Sequence, residues 1–129
     1  MEGQTGDMRR EVGQAAERLC ERQLRRRGWS ILARNWRIRL GEIDLIARDG
    51  RTVVIVEVKS SRPGRGAGPV NPALAVDRRK QQRLRRLATA WLTSYSGWIG
   101  FDEIRFDVVG VSFSSSGEVL AYEHIEGAF

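Results

Sequence analysis

The chain has 129 residues, 41% of them hydrophobic, with one cysteine and 22 Lys+Arg against 16 Asp+Glu for a formal net charge of +6. That length and hydrophobic share suit one domain with a packed core and exclude a disordered chain, while one cysteine excludes an internal disulfide and no Cys/His spacing suits structural zinc. No apolar run approaches the ~18 residues of a membrane helix, and the polar start Met1 to Arg10 has no apolar signal core, so a cytoplasmic protein with no membrane partner is expected.

The positive balance favours polyanionic partners, nucleic acid or an anionic membrane surface. The kind of cation says more than the count. Only Lys59 and Lys80 are lysines; the other cations are arginines. Arginine is a delocalised, permanently charged fork, whereas lysine is a compact charge with a tunable pKa, so a position that keeps Lys in this chain invites a question.

Residues 1–10 read as a mobile tail and 11–129 as a single domain. From Glu11 to Arg27 the pattern is helical, with Val12, Ala15, Ala16, Leu19, Cys20, Gln23 and Leu24 on one stripe and Gly28 as the stop. Cys20 lies on that stripe and reads as core, not as a reactive thiol. Strands follow over Trp29–Arg39, Gly41–Arg48 and Thr52–Lys59, the last two joined around Asp49-Gly50-Arg51 as a hairpin. The third strand is apolar on both faces up to Val56, as a covered central strand is. Ser60 to Pro72 is a Gly/Pro/Ser-rich loop. A helix from about Pro72 or Ala73 to Ser94 carries an apolar stripe of Leu84, Leu87, Ala88, Trp91 and Leu92. Strands over Glu103–Val111 and Glu118–His124 close the chain, joined by a Ser-rich turn with Gly117. The order is α-β-β-β-α-β-β, an α/β chain with helices packed on a mixed sheet.

Side chains alternate along a strand, so Glu57 and Lys59 share one face while Val54, Val56 and Val58 take the other. On the preceding strand Glu42 and Asp44 share a face. An Asp49-Gly50 loop sets Asp44 opposite Ile55, and a Gly50-Arg51 loop sets it opposite Glu57. Either of these registers puts Asp44, Glu57 and Lys59 on one face, whereas a three-residue loop would split them. Two neighbouring carboxylates repel, and a divalent cation relieves the repulsion; oxygen ligands favour Mg²⁺, Mn²⁺ or Ca²⁺ over softer metals. A lysine beside such a metal can orient water or stabilise developing negative charge. The competing use of the same charges is a plain salt bridge from Lys59 to Asp44 or Glu57.

Gly41-Glu42-Ile43-Asp44 followed by Glu57-Val58-Lys59 resembles the PD-(D/E)XK nuclease superfamily, in which an Asp ends one strand and Glu-X-Lys lies on the next. With Gly28-Trp29-Ser30-Ile31-Leu32-Ala33-Arg34-Asn35-Trp36, Arg105-Phe106-Asp107-Val108-Val109, His124 and Ala128-Phe129, the chain resembles the YraN family from about Glu17 to its end. The resemblance implies a restriction-endonuclease-like three-layer α/β/α fold and a magnesium site. Asp44, Glu57 and the Val58 carbonyl would be ligands, and Lys59 the catalytic lysine. In the similar archaeal Holliday junction resolvases an acid on the first helix completes the site; Glu17 stands where the family has Gly-Glu, with Ala16 replacing the Gly. A solvated helix face is the other reading of Glu17. Those resolvases work as symmetric dimers, which implies a homodimer here. Glu42 matches the motif as a residue behind the ligands. The family commonly has Arg two places after the lysine; here Ser61 stands there and Arg62 follows as the local phosphate contact. Gln23 replaces a usual tyrosine.

Arg78, Arg79, Lys80 and Arg83 open the second helix, where an exposed basic face can contact phosphates without reading bases; Gln81 could assist at the site. Trp29, Trp36, Trp91 and Trp98 read as packing residues, His124 as a structural hydrogen-bonder, and Asp107 as a buried partner of Arg105 or Arg34. The expected function is Mg²⁺- or Mn²⁺-dependent hydrolysis of phosphodiester bonds in DNA, with branched DNA in view. The alternatives are a catalytically silent nucleic-acid-binding module with a nuclease fold and a protein–protein adaptor.

Overall fold

Apolar stripes on both helices and two-faced apolar strands demand a sheet covered on each side, and the chain builds one. The computed structural model describes residues 2–62, 72–95 and 100–129. Helix α1 (Glu2–Arg26) buries Ala16, Cys20 and Leu24 completely, as their spacing dictates. Gly28, at φ 88°, turns the chain out of it, in a left-handed conformation that suits a residue without Cβ. The helix starts at Glu2, so most of the segment expected as a tail is helical. No proline precedes Glu11, and a helix already nucleated by packing propagates through such a run at little cost.

Strands β1 (Ser30–Ile38), β2 (Gly41–Asp49), β3 (Thr52–Ser61), β4 (Glu103–Phe113) and β5 (Val119–Ile125) form one mixed sheet in that spatial order. Neighbours are antiparallel except β3 and β4, which run parallel because helix α2 (Arg78–Ser94) crosses between them. Asp49 pairs with Thr52, leaving Gly50-Arg51 as the hairpin turn with Gly50 at φ 59°. The register is therefore the one that continues to Asp44 opposite Glu57.

One expected helix is two pieces. A 3-10 turn (Pro72–Ala75) precedes α2, and Asp77 caps α2 by accepting from the Lys80 backbone N–H at 2.8 Å. An extended Asp at this position ends the turn and satisfies an otherwise orphan donor. Pro72 sits on Gly110 so closely that a Cβ there would lie 2.2 Å from its Cγ.

The α1 side of the sheet buries Leu45, Ala47, Val54, Val56, Val109 and Val111. The α2 side buries Ile43, Ile46, Val53, Ile55 and Val108 under Leu84, Leu87, Ala88 and Trp91. The result is three layers, α/β/α. Trp29 and Trp91 are buried and Trp36 packs on the α2-side core; Trp98 lies outside the described residues. Burial pushes the Cys20 thiol up to about 12, in keeping with a core role. Among the described residues no helix is long and apolar enough to cross a membrane.

On β4, one strand over from Glu57, a further buried acid is clasped by ions. Asp107, fully buried, accepts both Arg105 donors at 2.8 and 2.9 Å, His124 Nε2 at 2.8 Å and the Gly127 N–H at 3.0 Å. The Arg27 guanidinium lies 3.0 Å from His124 Nδ1. Since the guanidinium can only donate, Nδ1 accepts and Nε2 carries the proton given to Asp107. Although burial raises the Asp107 pKa, the hydrogen bonds from Arg105, His124 and Gly127 together hold it below the usual carboxylate range.

Candidate functional site

The site is made by an interruption of the sheet. Asn35 in β1 stands at φ 46°, a left-handed conformation that asparagine tolerates better than most side chains. In the β1–β2 register Arg34 pairs with Leu45 and Trp36 with Ile43, so Asn35 stands level with Asp44. Both strands change phase there. Leu45 faces the α1 side and Ile43 the α2 side, although residues two apart should share a face. Arg34 correspondingly reaches Glu21 on α1, while Trp36 packs on the α2-side core. The expectation that Glu42 and Asp44 share a face therefore fails: Glu42 turns with Asn35 toward α1, and Asp44 sits at the break.

The β2–β3 pairing stops at Leu45–Val56. One step beyond, Asp44 Oδ2 accepts the Val58 backbone N–H at 2.8 Å. A side chain thus takes the place of a strand partner, and the two strands open around the carboxylates. Glu57, 4% exposed, lies beside Asp44. Burial first, and then the neighbouring Glu57 carboxylate, push the Asp44 carboxyl up to about 9. Burial also opposes ionisation of Glu57, but the Asp44 proton and the Lys80 ammonium outweigh it and hold Glu57 below the usual range. The pair therefore shares one proton and one negative charge.

This arrangement has a measurable sign. The Asp44 pKa rises from an unfolded 3.8 to about 9, so its proton contributes stability in full below about pH 4. The contribution declines through that window and is gone above pH 9. In the absence of divalent ions, the urea stability of wild type relative to Asp44→Asn should fall steadily from pH 4 to 9. A difference that is flat with pH would contradict the shared proton.

The remaining residues are distributed as follows. Lys59, two past Glu57 on β3, is half-buried, and its charge helps to lower the Glu57 pKa. Val58 meets the site through its N–H. Glu17 accepts from Asn35 Nδ2 at 2.9 Å, and Glu42 accepts from the same amide at 2.9 Å while pairing with Arg37 at 2.6 Å. Asn35 thus ties Glu17 to Glu42. Glu17 adds to the negative field on Asp44, but Glu17, Asp44 and Glu57 do not converge within 4.8 Å of one another. Lys80, expected among the outward cations, turns inward, with Nζ 2.7 Å from Glu57 Oε2. Gln81 donates its amide to the Val76 carbonyl at 3.0 Å, bracing the entry to α2. Arg78, Arg79 and Arg83 are exposed, Arg62 is half-buried beyond β3, and most of the Ser60–Pro72 loop lies outside the described residues.

Asn35 carries no charge and has no part in the acid-lysine motif, which is why sequence reasoning assigned it nothing. Its signal is an asparagine inside an otherwise β-forming run. Asn35→Ala should cost about 1–2 kcal/mol by urea unfolding because alanine resists the left-handed backbone. Asn35→Gly, which accepts it, should cost less. Equal losses would mean that the backbone conformation is not what Asn35 supplies.

A cavity of about 620 Å³ opens beside Glu17 and Asn35, bordered by Arg18, Arg22 and the Arg34–Glu21 pair. Arg18 and Arg22, one turn apart on α1, were not singled out in the sequence because they merge with the other charges of that helix. A second cluster capable of gathering a metal exists on paper: Asp107, His124 and Glu126 bring ligand atoms within 4.8 Å. Arg105 and Arg27 already fill it, Arg27 lying 2.6 Å from Glu126. A further cation there would meet two guanidiniums, so we assign it to the clasp.

Two helices covering opposite faces of a mixed five-stranded sheet, with acids paired where the second and third strands part, define a restriction-endonuclease-like protein. Over residues 16–111 the chain matches the family model described as "Uncharacterised protein family UPF0102". It is similar to UPF0102 proteins of Acidothermus cellulolyticus (41% identical, 97% of this chain and 98% of that one), Nocardia farcinica (46%, 92% and 88%) and Dictyoglomus thermophilum (36%, 93% and 98%). The chain belongs to the UPF0102 family, also called the YraN family, which bears out the resemblance to that family read from its motifs.

Proposed function

We propose that this protein is a Mg²⁺- or Mn²⁺-dependent nuclease that hydrolyses phosphodiester bonds in DNA. The observation that carries the reading is the pair of carboxylates, buried Glu57 and half-buried Asp44, set side by side where the strands open. Two largely desolvated acids side by side are a costly arrangement. Their oxygens are the donors that hard divalent ions take, and Glu57 Oε2 has no well-directed hydrogen bond. Asp44 and Glu57 would hold the ion, the Val58 carbonyl would add a neutral donor, and Glu17 would act at one remove through water. A Mg²⁺ or Mn²⁺ held there would supply Lewis acidity toward a phosphoryl oxygen.

The chain's own groups do the rest. Lys59, on the same face as Glu57, orients the attacking water and stabilises charge growing on the phosphoryl oxygens. Glu42 and Asn35 keep Glu17 in place. The exposed Arg78, Arg79 and Arg83, with Arg62, grip the backbone electrostatically, and Arg18 and Arg22 extend that grip along the cavity beside Glu17.

The test is a panel of linear, nicked, flapped and four-way DNA incubated with Mg²⁺, with Mn²⁺ and with chelator. Cleavage that requires the ion, and is strongest on one of the structured substrates, supports the reading. Salt-sensitive binding with no cleavage under any condition would favour a silent binding module. Neither binding nor cleavage would favour an adaptor.

A further inference from the structure

The chain uses lysine twice among 22 basic residues, and both lysines stand at the acid pair. Lys59 is on the strand that carries Glu57; Lys80 reaches it from the first turn of α2. The reach is set by the fold, since the Asp77 cap fixes the start of α2 and faces its third residue toward the sheet. Glu57 is 5% exposed at its side chain and Lys80 is 34% exposed. The carboxylate is therefore locked in place, while the ammonium sits at the end of a flexible stem with an open way to solvent. Nζ lies 2.7 Å from Glu57 Oε2, an ion pair made by one compact cation that another compact cation could replace. A planar guanidinium would instead fill the opening and bind in a fork, which gives a reason for Lys here in an arginine-rich chain.

Resting on the metal reading above, we propose that Lys80 is the resident counter-cation of the acid pair, neutralising Glu57 until a divalent ion displaces its ammonium toward solvent. Lys80 then competes with the metal. If the ammonium leaves Glu57 only about a tenth of the time, the apparent affinity for the ion is about tenfold weaker than the intrinsic one. A lysine that merely braces Glu57 has the opposite consequence, because removing it would disorder a ligand and weaken binding.

Two measurements on the full chain decide this. The first is calorimetric titration of wild type, Lys80→Met and Glu57→Gln with Mn²⁺. The second is Mg²⁺ titration of wild type labelled with ¹⁵N at lysine Nζ, which gives two side-chain signals, assigned with Lys59→Arg. The expected results are Mn²⁺ binding about tenfold tighter in Lys80→Met, loss of binding in Glu57→Gln, and movement of the Lys80 signal to that of a solvated ammonium as Mg²⁺ saturates. Weaker binding in Lys80→Met, or a Lys80 signal unmoved by Mg²⁺ that calorimetry shows to be bound, overturns the displacement and leaves the metal reading standing. If Lys80→Met does not fold, the wild-type signal decides alone. Absence of binding in both wild type and Lys80→Met overturns the metal reading and this inference together.

Discussion

Lys59→Ala is expected to slow Mg²⁺-dependent DNA cleavage by about two to three orders of magnitude, the usual consequence of losing one preorganised electrostatic group at a developing charge. Asp44→Asn should lose at least as much, because its amide keeps the size of Asp44 but cannot give up a proton to become an anionic ligand for the ion. Neither change should alter DNA affinity or its dependence on salt, since the exposed arginines proposed to meet phosphates are untouched. Initial-rate measurements on the best substrate, with binding followed separately by anisotropy, check both halves. A Lys59→Ala protein that cuts at the wild-type rate would remove Lys59 from the mechanism. One that neither cuts nor binds would show that Lys59 serves affinity and not chemistry.

The second large effect concerns stability. Asp107→Ala leaves the Arg105 guanidinium, the His124 Nε2–H and the Gly127 N–H without their common acceptor. Removing one partner of a buried ionic network costs about 3–5 kcal/mol, so the melting temperature should fall by roughly 10 °C or more. The clasp also positions the chain end: Ala128 donates to the Phe106 carbonyl at 2.8 Å, and the Phe129 ring stacks on Phe106 at 5.2 Å between centroids. Arg51→Ala, which breaks an exposed pair with Asp102, is the control and should change stability by no more than about 1 kcal/mol. Similar melting temperatures for the two variants would refute the assignment of Asp107 as a stabilising centre.

Element order, the central strand and the existence of the hairpin were legible because they rest on short-range rules. The apolar stripe of Ala16, Cys20 and Leu24 has helical period, and Gly50 marks the turn, but Asp49-Gly50 and Gly50-Arg51 loops both fit the sequence and only the Asp49–Thr52 pair selects the second. Asp107 was legible as a buried partner of Arg105 or Arg34, and the structure pairs it with Arg105. The start of α1 and the division before α2 were less legible. The first depends on propagation through a polar run, and the second on one Asp acting as a cap.

Within the site, Asp44, Glu57 and Lys59 could be placed on one end of one hairpin from spacing. The break at Asn35 could not, because alternation assumes an uninterrupted pleat. That break is what turns Glu42 away from Asp44 and toward Glu17. The inward turn of Lys80 was hidden for a similar reason. In sequence it is one more cation in a basic run, and only the tertiary approach of α2 to β3 distinguishes it from Arg78 and Arg79.

The most direct measurement is a crystal structure of the wild-type chain soaked in Mn²⁺, with the ion located by its anomalous scattering. One Mn²⁺ bonded to oxygens of both Asp44 and Glu57 is expected, with the Lys80 ammonium moved off Glu57. Manganese seated elsewhere, or an ion-free acid pair still closed on Lys80 at saturating Mn²⁺, would contradict the metal site.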